Sequence, residues 1–362
     1  MQKILLLSIL GLCWQFSSAQ QLRKSADSLR VAGEIPELSY AILNSDSVLL
    51  TNILGFHRLS PKNDKTKALP GDYMHLGSNT KAITGLIAAY LVEQRKISWT
   101  AKFFALFPEW KAVANPEYYG ITVADLLSHR ARIKPFTSGA EFQSLTKFAG
   151  TKSSQRKLLS YYLLGHESIA KNTEIYNYSN AGYSIAALML EQASGKTWED
   201  LVEEVLGKKL QLHYKFGWPN RTDSNQPSGH WLENKVLTPL DSNTAYNLNL
   251  IEPAGDISMP IADYVKFIQM NLAGLEGKSG FLKPETFQYL HYGHPGYSIG
   301  WLNTNKADKH SSEHAGSAGT FYCYTLINKD KNLAYVIMAN SATDKALDSI
   351  FKLLDKMVRS AE

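Results

Sequence analysis

Strand-forming runs sit at the two ends of this 362-residue chain, and helical patterns fill the middle. That distribution constrains the fold more than any single motif. Ser39 to Arg58 (SYAILNSDSVLLTNILGFHR) reads as two strands about a turn at Asn44-Ser45-Asp46. Phe321–Asn328 and Leu333–Asn340 read as a second hairpin around Lys-Asp-Lys-Asn. Strands separated by so much helical sequence bury their apolar faces by meeting in one antiparallel sheet. The expectation is an α+β fold: a sheet part from residues 20–75 and 291–362, and a mainly helical part, 76–290, inserted between them. A cleft between the two parts is the natural place for a site.

Local signals fill in that plan. Residues 20–35 read as a helix, and 182–194 as another that stops at Gly195. Thr197-Trp198-Glu199-Asp200 opens the next helix in capping-box style, and Pro260 opens the one after it. A last helix places Ala346, Ile350, Leu353, Leu354 and Met357 on one face.

The first nineteen residues have Lys3, an apolar run from Ile4 to Trp14, and Ser17-Ser18-Ala19. This is the layout of a signal peptide cleaved after Ala19, so the protein is expected to be exported, periplasmic or secreted. The apolar run is short for a stable membrane span. Without the leader, Cys323 is the one remaining cysteine, which excludes an internal disulfide and a cysteine-based metal site. No cofactor or metal is expected. A net charge of +5, with both signs interspersed, argues against nucleic acid as a partner.

Residues 75–85, HLGSNTKAITG, pose the functional question. Ser78 at a helix start is a good N-cap, and Lys81 shares its helical face. A serine hydroxyl becomes a nucleophile only with a base in contact, and an oxyanion needs preorganised donors such as amides at a helix start. Ser-x-x-Lys alone means little, since it recurs at Ser144/Lys147, Ser154/Lys157, Ser168/Lys171 and Ser349/Lys352. Only Ser78 follows a glycine and opens a strongly apolar helix. Further on, Tyr178 is either a half-buried aromatic or a base made usable by a neighbouring cation, and Asn180 either an N-cap or a hydrogen-bonder to substrate. For a third element, Lys278-Ser279-Gly280 competes with His314-Ala315-Gly316-Ser317. The second directly precedes an aromatic strand, where bare backbone at Gly316 can pair with a ligand.

Order and context together make the sequence resemble the serine β-lactamase-related hydrolases of the class C type. That family includes class C β-lactamases, D-alanyl-D-alanine carboxypeptidases, D-amino-acid peptidases and esterases. Besides HLGSNTK, the similarity runs through LLSHRARI (126–133), YNYSNAGY, EPAGDISMPIADYVKF and HAGSAGTF, and covers most of the mature chain. The resemblance implies a β-lactamase/transpeptidase-like fold, Ser78 as acylated nucleophile, and Lys81 with Tyr178 as the proton-transfer pair. It implies Asn180, His314, Gly316 and Ser317 as substrate-binding positions, with the Ser78 and Ser317 amides as oxyanion hole. The expected partner is a small-molecule or peptide substrate, cell-wall material being one source, cleaved as a D-alanyl-D-alanine carboxypeptidase would. A class C-type β-lactamase, an esterase, and a non-catalytic penicillin- or peptidoglycan-binding sensor are the alternatives. Histidine at 314, where class C β-lactamases carry lysine, weakens the β-lactamase reading. Arg130 and Arg132, which replace small residues, read either as charge near the site or as solvated surface.

Overall fold

The computed structural model describes residues 19–59, 66–138, 140–141, 145, 147–166 and 176–361. The segment expected to be a signal peptide, apart from Ala19, lies outside the described residues. A first helix, α1, covers residues 19–32. The Asn44 side-chain oxygen then accepts from the Asp46 and Ser47 amides, at 2.8 and 2.7 Å. This side-chain mimic of a turn folds β1 (Glu37–Leu43) back on β2 (Val48–Gly55).

β1 also pairs along its other edge, with β11 (Leu333–Ala339), in the register Leu38↔Ala339 to Leu43↔Ala334. The chain ends therefore meet, as the sequence requires. The sheet runs β2-β1-β11-β10-β9-β8, every neighbour antiparallel, where β8 is Leu302–Lys306, β9 Lys309–Ser317 and β10 Tyr322–Asn328. Two of these strands, β8 and β9, were missing from the sequence reading, and His314 to Ser317 lie within a strand rather than ahead of one. Their sequence, LNTNKADKHSSEHAGS, is polar because β8 is the sheet's edge, half-buried to exposed along its length. A strand with one wet edge lacks the apolar alternation that marks a buried one.

Alternation in the central strands sorts the core into two layers. Leu38, Tyr40 and Ile42 join Tyr335 and Ile337 on one face, covered by α1 and the terminal helix, Asp344–Ala361. Ile350, Leu353 and Met357 of that helix are buried there. Each such side chain, removed from water, contributes about 2 kcal/mol. Ala41, Leu43, Val336 and Met338 face the other way, into the helical body.

At the centre of that body lies α2 (Thr80–Glu93), in which eleven of fourteen residues are buried. A helix apolar on all sides belongs in the middle of a large core. Around it pack α3 (Val123–Leu127), α4 (Lys152–Leu164), α5 (Asn180–Ser194) and α6 (Ile261–Leu275). Gly195, at φ +71°, ends α5, and Thr197 with Asp200 forms a reciprocal capping box, both as the sequence indicates. The region between 76 and 290 is less purely helical than expected. β3 (Tyr73–His75), β7 (Ile257–Pro260) and β4 (Lys215–Phe216) form a small sheet in the order β3-β7-β4, and β5 (His230–Glu233) pairs with β6 (Val236–Pro239). Strands of two to four residues carry too little pattern to be read from sequence.

Candidate active site

Ser78 sits in a short 3-10 turn, Gly77–Asn79, that leads β3 into α2. Two contacts fix the turn. The Gly77 amide donates to His75 Nδ1 at 3.2 Å, while His75 Nε2 meets Asp256 Oδ1 at 3.3 Å and its ring stacks on Trp218. Asn79 donates to the Cys323 carbonyl of β10 at 2.9 Å and accepts from the Tyr264 hydroxyl at 2.9 Å. The N-cap reading of Ser78 is not what the structure shows. Neither the turn nor α2 has a side-chain cap, and Ser78 Oγ instead receives the Lys81 ammonium nitrogen at 3.1 Å.

Lys81 lies on the first turn of α2 and is fully buried. Besides Ser78 Oγ, its Nζ reaches Asn180 Oδ1 at 2.7 Å and the Ala254 carbonyl at 2.8 Å. All three are neutral oxygens. Burial without a carboxylate partner pushes the Lys81 pKa well below that of an ordinary lysine.

Tyr178 lies in the extended segment before α5, and its ring lies 4.7 Å from Lys81 Nζ. Here the structure corrects the sequence reading that a lysine ammonium would stabilise a Tyr178 phenolate. Burial raises the Tyr178 hydroxyl well above the ordinary phenol value, offset only in part by its hydrogen bond with Ser78. The hydroxyl keeps its proton. Lys81, itself short of charge, sits over the ring and supplies no full cation to reverse this.

Asn180 is the first residue of α5, and Ser179, whose Oγ accepts from the Gly182 amide, caps it instead. This frees the Asn180 amide group to bridge, its oxygen to Lys81 and its nitrogen to the Phe136 carbonyl at 2.8 Å.

His314, on the inward face of β9, is only 2% exposed. Its Nδ1 donates to the Ala315 carbonyl at 2.8 Å and its Nε2 accepts from the Tyr297 hydroxyl at 3.0 Å. Burial, with Lys81 nearby, pushes its pKa down to about 3, so the imidazole is neutral. The rival Lys278 is elsewhere, paired with Asp46 and Ser45 at the β1–β2 turn.

The two glycines bring the backbones of the Ser78 turn and β9 together. A Cβ on Gly77, whose φ is +52°, would lie 2.4 Å from the Ser317 amide nitrogen. One on Gly316 would lie 1.9 Å from the Leu76 carbonyl and 2.8 Å from the Ser78 amide nitrogen. Only glycine permits this approach. It sets the Ser78 and Ser317 amides side by side at the mouth of a cleft of about 780 Å³ that both residues line.

Three features of the site escaped the sequence reading. The Ala254 carbonyl belongs to EPAG, whose first residue, Glu252, is buried against Arg156 and Lys152 at 3.7 and 3.8 Å. Arg130 is a brace, donating to the carbonyls of Ser128, Pro295 and Tyr297, and Arg132 pairs with Glu117 at 3.5 Å. Away from the cleft, Glu37, His57 and Asp72 offer buried ligand-type atoms within 4.8 Å of one another. His57 Nε2 is bonded to Asp72 at 2.8 Å, and burial with the Asp72 charge raises the Glu37 carboxyl well above the usual range. Among the described residues, Glu37 Oε2 and His57 Nδ1 are left without a hydrogen-bond partner.

Fold and site together have the architecture of the serine β-lactamase kind. Residues 21–354 match the family model described as Beta-lactamase, and the chain belongs to that family. It is 25% identical over 330 residues to Protein flp of Staphylococcus aureus (strain N315), covering 89% of this chain and 63% of that protein. The chain thus spans less than two thirds of that relative. Among solved structures, it resembles an octameric penicillin-binding protein homologue from Pyrococcus abyssi, with a TM-score of 0.72 and 19% identity over 89% of this chain and 73% of that one. It also resembles a class C β-lactamase from Rhodobacter sphaeroides, with a TM-score of 0.72 and 15% identity over 93% and 99%.

Proposed function

We propose that this protein is an exported serine hydrolase that acylates Ser78 while cleaving an amide or ester bond, a D-amino-acid peptide being the leading substrate. The observation that carries this reading is the buried, charge-poor Lys81 amine 3.1 Å from Ser78 Oγ. A free amine there accepts the serine proton as Oγ attacks the substrate carbonyl. The new ammonium is held by Asn180 Oδ1, the Ala254 carbonyl and the Tyr178 ring face. The carbonyl oxygen, becoming negative, lies against the Ser78 and Ser317 amides. Tyr178 passes its proton to the leaving group and takes up the one Lys81 accepted. Water then attacks the acyl carbonyl, giving a proton to the free Lys81 amine, which returns it to Ser78 Oγ as the acid departs. Lys81 is therefore the first base and Tyr178 the acid. His314 holds the site's inner wall through Tyr297 and adds no charge.

The test is intact-mass analysis after exposure to a fluorophosphonate and to a penicillin. The native protein should gain one adduct from the fluorophosphonate, and Ser78→Ala none. A native protein left unmodified by both reagents would refute the nucleophile assignment and favour a non-catalytic binding module. Rapid loss of a penicilloyl adduct would instead identify β-lactamase activity.

A further inference from the structure

The cleft over Ser78 has a charge pattern that bears on its substrate. One wall is apolar, built from Phe136, Leu145, Phe148, Leu248, Leu250 and Ile251. Its polar lining is amide and hydroxyl, from residues such as Asn247, Asn249 and Gln155. Among the described residues, the exposed Lys147 is the one lysine, arginine or carboxylate side chain that lines the cleft.

The acids nearest along the chain are committed elsewhere. Glu141 accepts the Phe136 and Ser138 amides, at 2.6 and 3.0 Å, and so braces the loop that forms the wall. Glu252 lies behind Ile251, buried against Arg156 and Lys152. Lys81 and His314 are buried behind the lining rather than part of it.

We infer that the cleft accepts substrates whose acyl part is uncharged and apolar, and rejects those with a free ammonium group near the scissile bond. This rests on the serine-hydrolase reading of Ser78 and deepens it: the D-amino-acid peptide must be blocked at its amine, or the substrate must be a simple acyl ester. An ammonium entering this cleft sheds water and meets no carboxylate among the described residues, while Lys147 repels it. An alkyl or amide-capped group loses little on desolvation and gains the apolar wall.

Two fluorophosphonates of equal tail length, one ending in alkyl and one in an ammonium, test the inference through their second-order rates of Ser78 labelling. The alkyl probe should react at least ten-fold faster. Lys147→Glu, a change at an exposed position, should shrink that ratio several-fold by speeding the ammonium probe. Equal rates for the two probes, or a ratio unmoved by Lys147→Glu, would overturn the inference while leaving the nucleophile assignment standing. Absence of labelling by either probe would overturn both.

Discussion

Glu252→Gln is expected to stabilise the protein in a pH-dependent way. The cluster around Glu252 holds Arg156, fully buried, which bonds Glu199 at 2.7 and 2.9 Å and Glu191 at 2.6 Å. Glu252 is left with longer contacts, 3.7 Å to Arg156 and 3.8 Å to Lys152. Three carboxyls thus share one buried guanidinium and a half-exposed ammonium, and desolvation lifts the Glu252 pKa from 4.5 to about 7. A group with a raised folded-state pKa contributes its stability fully below the unfolded value, and that stability is lost as pH rises through the folded value. At about 1.4 kcal/mol per unit, charging Glu252 above pH ~7 costs about 3 kcal/mol. A chain of this size unfolds with an entropy of about 0.7 kcal/mol/K, so the effect is about 4 °C in Tm. Thermal unfolding of wild type and Glu252→Gln should therefore give similar Tm values near pH ~5. At pH ~8.5 the variant should be about 4 °C higher. A variant less stable than wild type at the higher pH would refute the argument, since it would show a charged Glu252 that Arg156 fully compensates.

Three further outcomes follow from the site. Gly316→Ala places a methyl group 1.9 Å from the Leu76 carbonyl, and should lower the acylation rate at least ten-fold at a stability loss of about 1–3 kcal/mol, measured by fluorophosphonate labelling and by denaturant unfolding. Lys81→Met should slow labelling by about 10²–10⁴-fold. In wild type the labelling rate should fall as pH drops through the depressed Lys81 pKa, because the base is then protonated, and a rate that rose toward acid pH would exclude Lys81 from this role. His314, with a pKa near 3, should leave any preference for carboxylate-bearing substrates flat between about pH 5 and 9; a drop within that window would show a charged imidazole.

Much of the architecture was legible because hydrophobic burial writes it into the sequence at long range. The period-2 runs of β1, β10 and β11 and the apolar α2 each had one way to be buried. What escaped was set by partners rather than by pattern. β8 is polar because solvent reaches it, and the buried face of β9 is polar because Ser312 and His314 hydrogen-bond His291 and Tyr297, so neither showed as a strand. Ser78 looked like a cap because serine at a helix start commonly caps, yet Lys81 claims its hydroxyl three residues on. For Tyr178 the sequence supplies a neighbouring lysine, but only the packing shows the burial that raises the phenol and lowers the lysine. The Ala254 carbonyl, as a backbone atom, carries no residue-type signal at all.

The pairing of β1 with β11 has a consequence for biosynthesis. A ribosome delivers β1 and β2 early and β11 near the end, so the seven residues of β1, all interior in the finished protein, wait with one edge unpaired. The helical body, with Ser78 and Lys81 already three residues apart, emerges in the meantime. Only the late arrival of β9, β10 and β11 fills the gap beside β1 and sets the Ser317 amide next to Gly77. On the proposed reading of Ser78 and Lys81, the nucleophile and its base are synthesised long before the amide that completes the oxyanion hole. A nascent chain without its closing strands would then lack the means to stabilise an acyl transfer, and competence at Ser78 would report that the sheet has closed.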